Sequence, residues 1–166
     1  MLPSEIAKES ESSQQKALFA YVAIAARFGF DAADMWADGG KLPEITAGST
    51  ELAVPALSWL HAIPNGGTRG DSARSRKIHG AALKAEGVRS GVADIFLPYP
   101  NARWHGLYIE MKKPSIKPKR KASKGGLSSD QISFKNYVLT VDYGFVVCYS
   151  WIEAKTVLRQ YIEYEE

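Results

Sequence analysis

Residues 91–97 (GVADIFL) and 107–112 (LYIEMK) combine short apolar runs with three charged side chains. The length of each run and its branched and aromatic residues are typical of buried strands. Side chains on a strand alternate between the two faces of a sheet, so Glu110 and Lys112 are expected to point the same way. If the two strands are neighbours in the sheet, Asp94 lies close to Glu110 and Lys112. The sequence therefore predicts a small charged pocket at the ends of two strands.

The residue types in this pocket suit a divalent cation. A hard cation such as Mg²⁺ or Mn²⁺ takes oxygen ligands, and Asp94, Glu110 and the main-chain carbonyl of Met111 could supply them. Water on such an ion has a lowered pKa and can act as a nucleophile. Lys112 would orient that water or stabilise charge on a scissile phosphate, whereas Lys113 faces the other way. The pattern predicts metal-dependent phosphodiester hydrolysis.

These motifs resemble the PD-(D/E)XK nuclease superfamily, with Asp94 and the triplet 110–112 (EMK) as its acids and lysine, and Ala93 where many members have proline. More specifically, the chain resembles the VRR-NUC (virus-type replication-repair nuclease) domain in its stand-alone phage form. A bare triplet of this kind occurs by chance, so the specificity lies in the order and spacing of further segments. They are Glu11 with Gln14 and Gln15, 61–67 (HAIPNGG), 82–94 (ALKAEGVRSGVAD), 105–114 (HGLYIEMKKP), 127–131 (LSSDQ) and, more weakly, 144–151 (GFVVCYSW).

The resemblance implies an α/β fold of the PD-(D/E)XK restriction-endonuclease-like type, with a mixed central β-sheet flanked by helices. It implies one VRR-NUC-like nuclease domain over residues 1–166, in which residues 29–58 are longer than the matching region of compact members and form a possible insertion. The implied activity is that of a divalent-metal-dependent, structure-selective deoxyribonuclease, a homodimeric Holliday (four-way) junction resolvase. A phage or prophage would encode it, and it would act in the cytoplasm of the bacterial host.

Two alternatives to the junction resolvase stay open. Within enzymes, the alternative is a flap or restriction-like endonuclease that acts on other branched or duplex DNA. Outside enzymes, it is a non-catalytic DNA-binding module that keeps the fold. A decayed site would be expected to lose at least one of Asp94, Glu110 and Lys112, and all three are present.

The resemblance also assigns further site residues. In the family a Glu on the first helix contributes to the metal site; Glu11 is the best positional match, and Glu5 and Glu9 compete with it. Gln131 matches a family Gln that lies by the metal site and could hydrogen-bond the attacking water or a phosphate, with helix capping as the alternative. Asn65 and the glycines after it are expected to lie against DNA phosphates or to buttress the metal site, with a structural turn as the alternative.

The net charge of +3 conceals an uneven distribution. Residues 69–124 carry fourteen Lys or Arg and four acids, whereas residues 1–51 carry eight acids and four bases. A basic middle around an acidic pocket is expected for a polyphosphate partner such as DNA, although ordinary solvated charge is the alternative for any single residue. The candidate phosphate contacts are Arg69, Arg74, Lys77, Lys84, Lys117, Lys119, Arg120, Lys121 and Lys124. The last five belong to the tract 114–126, which is expected to be a mobile loop that orders on DNA.

Periodicity and capping residues predict the remaining elements. The sequence predicts a helix over 10–28, loops or short helices over 29–58, a strand over 59–63, a basic helix over 72–86, a helix from Ser128 or Ser129 to Leu139, a strand over 145–151 and a helix over 152–164. This order gives an α/β sandwich around a mixed sheet.

Composition agrees with a folded domain. The chain is 45% apolar with eight Tyr, six Phe and four Trp, which argues against disorder. No apolar run approaches the length that spans a membrane, and the N-terminus lacks the pattern of a signal peptide. The single cysteine, Cys148, lies in an apolar run and is expected to be a buried small hydrophobe in a reducing compartment.

Overall fold

The structure, a computed structural model, describes residues 1–44, 50–64, 73–118 and 126–164, without the side chains of 73–77 and 79. The described residues form six α-helices and four β-strands. They are α1 (Pro3–Ile6), α2 (Glu11–Phe28), α3 (Phe30–Ala37), β1 (His61–Ala62), α4 (Ala73–Ala85), β2 (Ile95–Leu97), β3 (Leu107–Met111), α5 (Ser129–Thr140), β4 (Gly144–Cys148) and α6 (Trp151–Ile162). Short 3-10 helices occupy Pro55–Trp59 and Pro114–Ile116.

The four strands form one mixed sheet in the order β1-β2-β3-β4. The first three strands pair antiparallel, and β3 pairs parallel with β4. A parallel pair needs a crossover connection, and α5 supplies it between β3 and β4. The predicted α/β architecture with a mixed sheet flanked by helices is confirmed.

Helix α2 packs against one face of the sheet together with α3 and α6. Ser10 caps α2, because its hydroxyl accepts a hydrogen bond from the N–H of Ser13 at 3.1 Å. Gly29 ends the helix with φ +89°, a conformation that favours glycine. The fully buried Leu18 and Tyr21 lie on the inner side of α2, and burial of such side chains contributes about 1.5–3 kcal/mol each.

Helix α5 covers the opposite face of the sheet. Val138 of α5 packs with Ala93 and Phe145 in a second, smaller core, and Phe134 adds its ring at the edge. Alternation along β3 directs its side chains to the two faces of the sheet in turn. Its buried Leu107, Ile109 and Met111 belong to the larger core, and the residues between them point to the α5 face.

Two predicted strands are shorter in the structure, and those predictions were wrong at their ends. Residues 59–60 do not extend β1, because Pro55 begins a 3-10 helix that continues to Trp59. Trp151 is not in β4 but begins α6, because Ser150 caps that helix by accepting from the N–H of Glu153 at 3.2 Å. Short capping motifs override an apolar run when they satisfy the first free N–H groups of a helix.

Helix α4 forms as predicted, but its apolar residues stay outside the core. Ile78 is 62% exposed, Ala82 is exposed and Leu83 is partly exposed. Neither core includes a described side chain of α4. Among the described residues, no helix has the length and apolar character that crossing a membrane requires.

Candidate active site

The predicted pocket lies where β2 begins and β3 ends. Ile95 pairs with Ile109, so the next pair along the two antiparallel strands places Asp94 opposite Glu110. A side-chain oxygen of Asp94, Oδ2, accepts a hydrogen bond from the main-chain N–H of Met111 at 2.9 Å. The two strands are therefore neighbours, and the two acids come together at one end of the sheet.

Glu110, Lys112 and Gln131 form a closed hydrogen-bonded group. The Nζ atom of Lys112 lies 2.8 Å from Oε1 of Glu110 and donates to Oε1 of Gln131 at 3.3 Å. The side-chain amide of Gln131 donates to the same Oε1 of Glu110. The side chains of Glu110 and Lys112 are only 2% and 10% exposed. This arrangement holds a buried ion pair in one geometry.

Gln131 reaches this group from the first turn of α5. Ser128 caps the helix by accepting from the N–H of Gln131 at 3.2 Å, and Oε1 of Gln131 accepts from the N–H of Ser128 at 2.9 Å. This is a capping box, in which two residues satisfy each other's free N–H groups. The capping alternative for Gln131 is confirmed. The same side chain also contacts Glu110, and its role toward the attacking water or a phosphate stays a prediction.

The loop that carries Asp94 is fixed to the same turn of α5. The hydroxyl of Ser90 donates to Oδ2 of Asp130 at 2.7 Å. Gly91 has φ +81°, and a Cβ atom there would lie 2.4 Å from the carbonyl carbon of Asp130, so only glycine fits. Sequence reasoning missed this role of Gly91 and Asp130, although the glycine before an apolar strand was a signal of close backbone approach.

Burial dominates the electrostatics of Glu110. It raises the pKa of this carboxyl from 4.5 to about 7; the nearby charges of Asp94 and Glu11 add to the increase, and the hydrogen bond from Lys112 opposes it. Because burial makes the carboxylate anion unfavourable, a cation bound beside it stabilises that anion strongly. The site is therefore electrostatically prepared for a positive ligand.

The three N-terminal acids have different surroundings in the structure. Glu11 is the first residue of α2, and its charge acts on Glu110. Glu9 instead accepts from the N–H of Ser115 at 2.8 Å, and Glu5 accepts from the N–H of Leu2 at 2.5 Å. These contacts favour Glu11 over its two competitors. Its role in the metal site stays a prediction.

The donor set fits a hard cation such as Mg²⁺ or Mn²⁺. Among the buried side-chain nitrogen and oxygen atoms that the structure describes, Oε2 of Glu110 has no hydrogen-bond partner. An orphaned carboxylate oxygen next to a second acid suits an ion that takes one or two carboxylates and completes its shell with water and phosphate. No group of three or more Asp, Glu, His or Cys residues in the described chain is arranged to hold a metal. The protein would thus supply few ligands itself.

The Met111 carbonyl, the remaining metal ligand of the prediction, has a suitable orientation. The N–H of Met111 points to Asp94, and in an extended strand the carbonyl of the same residue points to the same side. The N–H of Lys112 points the other way, to the carbonyl of Cys148 in β4, at 2.9 Å. Coordination by this carbonyl stays a prediction.

Six of the ten predicted DNA contacts lie outside the described residues. They are Asn65, Arg69, Lys119, Arg120, Lys121 and Lys124. Arg74 and Lys77 belong to α4, but their side chains are not described, and Lys84 is exposed on the same helix. Lys117 pairs with Glu153 at 2.5 Å. The described start of the basic tract is therefore joined to α6 by this ion pair.

Cys148 is not part of the site. It is buried at the end of β4, and burial raises the pKa of its thiol to about 12. The thiolate is the reactive form of cysteine, so this residue is held unreactive. The prediction of a buried, structural cysteine is confirmed.

Comparison with known proteins extends only to fold. No protein-family model and no curated protein matches the sequence. A solved structure described as a VRR_NUC domain protein is similar over 93% of this chain and 88% of that chain, with a TM-score of 0.55 and 19% sequence identity. At this identity the likeness concerns the arrangement of the backbone. The chain has the α/β fold of a VRR-NUC domain protein, as its motifs predicted.

Proposed function

We propose that this protein is a divalent-metal-dependent, structure-selective deoxyribonuclease, and specifically a Holliday junction resolvase. The observation that carries the proposal is the group of Asp94, Glu110, Lys112 and Gln131, in which a buried carboxylate keeps one oxygen unpaired. A buried ion pair is poor evidence of stability, because desolvation offsets the attraction. A catalytic cation site gives this buried pair of Glu110 and Lys112 a role other than stability.

The chain's own residues have distinct tasks in this proposal. Asp94 and Glu110 would hold Mg²⁺ or Mn²⁺, which would supply an activated water and offset phosphate charge. Gln131 and Lys112 both bind Oε1 of Glu110, which leaves Oε2 for the ion. The ammonium of Lys112, held in place by Gln131, is positioned to stabilise charge that builds on the scissile phosphate.

Charge and fold support DNA as the substrate. Residues 69–124 carry fourteen Lys or Arg and only four acids, two of which are Asp94 and Glu110, and such a charge balance suits a phosphate backbone. The similar solved structure carries a nuclease-type name, VRR_NUC domain protein. From the same motif resemblance, we propose that a phage or prophage encodes the protein and that it acts in the cytoplasm of the bacterial host.

A homodimer suits the junction because resolution requires two paired incisions, and a two-fold dimer presents two equivalent sites. Exposed apolar surface is available for such contact. Trp59 is 70% exposed, and the nearby Phe19 of α2 lines a cavity of about 580 Å³. Sedimentation equilibrium of the parent and of Trp59→Ala tests this part of the proposal. A parent that stays monomeric at assay concentrations contradicts the dimer.

Cleavage of a panel of labelled DNAs tests the activity. The panel contains a four-way junction, a flap, a duplex and a single strand of related sequence, each with Mg²⁺, Mn²⁺ or EDTA. The proposal predicts paired incisions in the junction that require a divalent ion. Preferred cleavage of the flap or duplex would favour the flap or restriction-like endonuclease, and binding of all four without cleavage would favour the non-catalytic module.

A further inference from the structure

Aromatic rings form a row across the sheet directly beside the acidic residues. Phe96 pairs with Tyr108 across β2 and β3, and their rings stack with centroids 4.5 Å apart and an interplanar angle of 26°. His61 pairs with Phe96 across β1 and β2, and its ring stands edge-on at 5.7 Å. The ring of Tyr143 lies 6.0 Å from that of Phe96. We name His61, Phe96, Tyr108 and Tyr143 the aromatic strip.

Strand alternation places the strip on the face of the proposed catalytic residues. Asp94 precedes Phe96 by two residues, and Glu110 follows Tyr108 by two residues. Residues two apart on a strand share a face and are separated by about 6.8 Å. This separation is comparable to the spacing of successive phosphates along an extended nucleic acid strand. A phosphate at the acidic pair would therefore bring the adjoining nucleotide to the strip.

The strip is buttressed at one end and open at the other. Phe134 of α5 contacts Tyr108 edge-on at 5.1 Å, so α5 covers the β3 end. Phe96 is only partly buried, and His61, on the edge strand β1, is exposed. The rings of Phe96 and His61 thus offer apolar surface to solvent on the site face.

His61 is held in one orientation at this open end. Its Nδ1 lies 2.9 Å from the main-chain oxygen of Trp59. Because a carbonyl only accepts, Nδ1 must carry the hydrogen, and Nε2 remains for another partner. The open end combines apolar ring surface with one fixed polar edge, as does a site that stacks and hydrogen-bonds a nucleobase.

We propose that the aromatic strip binds an unpaired nucleobase next to the scissile phosphate, with the base against Phe96 and its edge near Nε2 of His61. This inference rests on the proposed nuclease function and specifies its substrate as DNA whose bases are unstacked at the cleavage point. A paired base in a continuous duplex keeps its faces covered by its neighbours. A branch point interrupts base stacking, so a base there leaves its pair more readily, and the strip selects branched or gapped DNA over duplex.

Paired changes in the protein and in the DNA test this contact in a binding assay, without cleavage. Dissociation constants are measured in EDTA for a duplex that carries a short unpaired segment, for the same DNA with abasic sites in that segment, and for the full duplex. The proteins are the parent, Phe96→Leu, His61→Ala and the control Tyr137→Leu, which removes a 63% exposed ring on α5 outside the strip. Thermal unfolding confirms that each variant folds.

We expect Phe96→Leu to weaken binding of the unpaired DNA by about 5-fold to 150-fold, which is the range for loss of one base–aromatic stack. Abasic DNA should lose a similar factor with the parent and no more with Phe96→Leu, because ring and base belong to one contact. His61→Ala, an exposed substitution that leaves the core intact, should lower affinity for unpaired DNA in the same base-dependent way. Tyr137→Leu should match the parent.

Independent, additive losses in Phe96→Leu and abasic DNA, or parent-like binding by both strip variants, overturn the proposal. If Phe96→Leu fails to fold, the same comparison of His61→Ala on intact and abasic DNA decides. Cleavage of the DNA panel with Mg²⁺ separates the two proposals. Cleavage without the coupling rejects the strip alone, whereas coupling without any cleavage rejects the nuclease and retains the base-binding strip.

Discussion

Replacing Glu110 with Gln is expected to stabilise the metal-free protein at and above neutral pH. Gln has nearly the same shape as Glu and keeps an oxygen that can accept from Lys112, but it carries no charge. Glu110 is buried, and burial raises its pKa from 4.5 to about 7. The exchange therefore removes the cost of holding an anion in this site.

The sign and size follow from proton linkage. The folded state holds the Glu110 proton to a higher pH than the unfolded chain, so this group lowers stability as pH rises from 4.5 to about 7. This difference between the unfolded and folded pKa of Glu110 corresponds to a loss of roughly 3 kcal/mol in the free energy of unfolding, at about 1.4 kcal/mol per pH unit. The attraction of Lys112 is already contained in the raised pKa. Glu110→Gln should thus gain roughly 3 kcal/mol above about pH 7 and almost nothing near pH 4.5.

Urea denaturation in EDTA, at pH values from about 5 to about 8, measures this gain. Glu86→Gln, an exchange of the same type at an exposed position after α4, is the matched control. Added Mg²⁺ should stabilise the parent and not Glu110→Gln, because a ligand that binds only the folded state raises its stability. A variant that is less stable than the parent throughout, or a gain that does not change with pH, would refute the reasoning.

Three further exchanges test other parts of the site. Lys112→Ala should keep metal affinity in calorimetry but slow single-turnover cleavage by a factor on the order of 10² or more, since an ammonium is no metal ligand. Gly91→Ala should lower the free energy of unfolding by about 1–3 kcal/mol and also slow cleavage, because its Cβ would press on Asp130 and shift the loop of Asp94. Gly80→Ala in α4 is the control, since nothing lies within 4 Å of the added Cβ. It should be neutral or stabilising in the same denaturation experiment. Exchange of four basic residues for Gln should flatten the dependence of log affinity on log salt by about 0.9 for each phosphate that is no longer neutralised, and an unchanged slope would show that they do not bind DNA. The four are Lys119, Arg120, Lys121 and Lys124.

The local part of the site could be predicted because it follows from strand alternation. A period of two fixes Glu110 and Lys112 on one face as soon as the segment is a strand. A serine three residues before Gln131 likewise predicts a capped helix start, and the structure has Ser128 in that role. These inferences need only neighbouring residues.

The parts that sequence reasoning missed depend on residues far apart in the chain. Glu9 could be separated from Glu11 only through its contact with Ser115, 106 residues away. The aromatic strip combines residues from three strands with Tyr143, which precedes β4, and no spacing in the sequence indicates it. Helical periodicity marks the apolar residues of α4 but does not say what covers them, and Ile78 is exposed.

Single-turnover cleavage of a labelled four-way junction by the parent, Asp94→Asn and Glu110→Gln tests the central claim most directly. Junction affinity in EDTA is measured beside it, as a control for folding and binding. The account predicts that the parent cuts the junction with Mg²⁺ or Mn²⁺, and that both variants bind it equally well but cut at least on the order of 10²-fold more slowly. Cleavage by either variant at the parent's rate would contradict the assignment of this site.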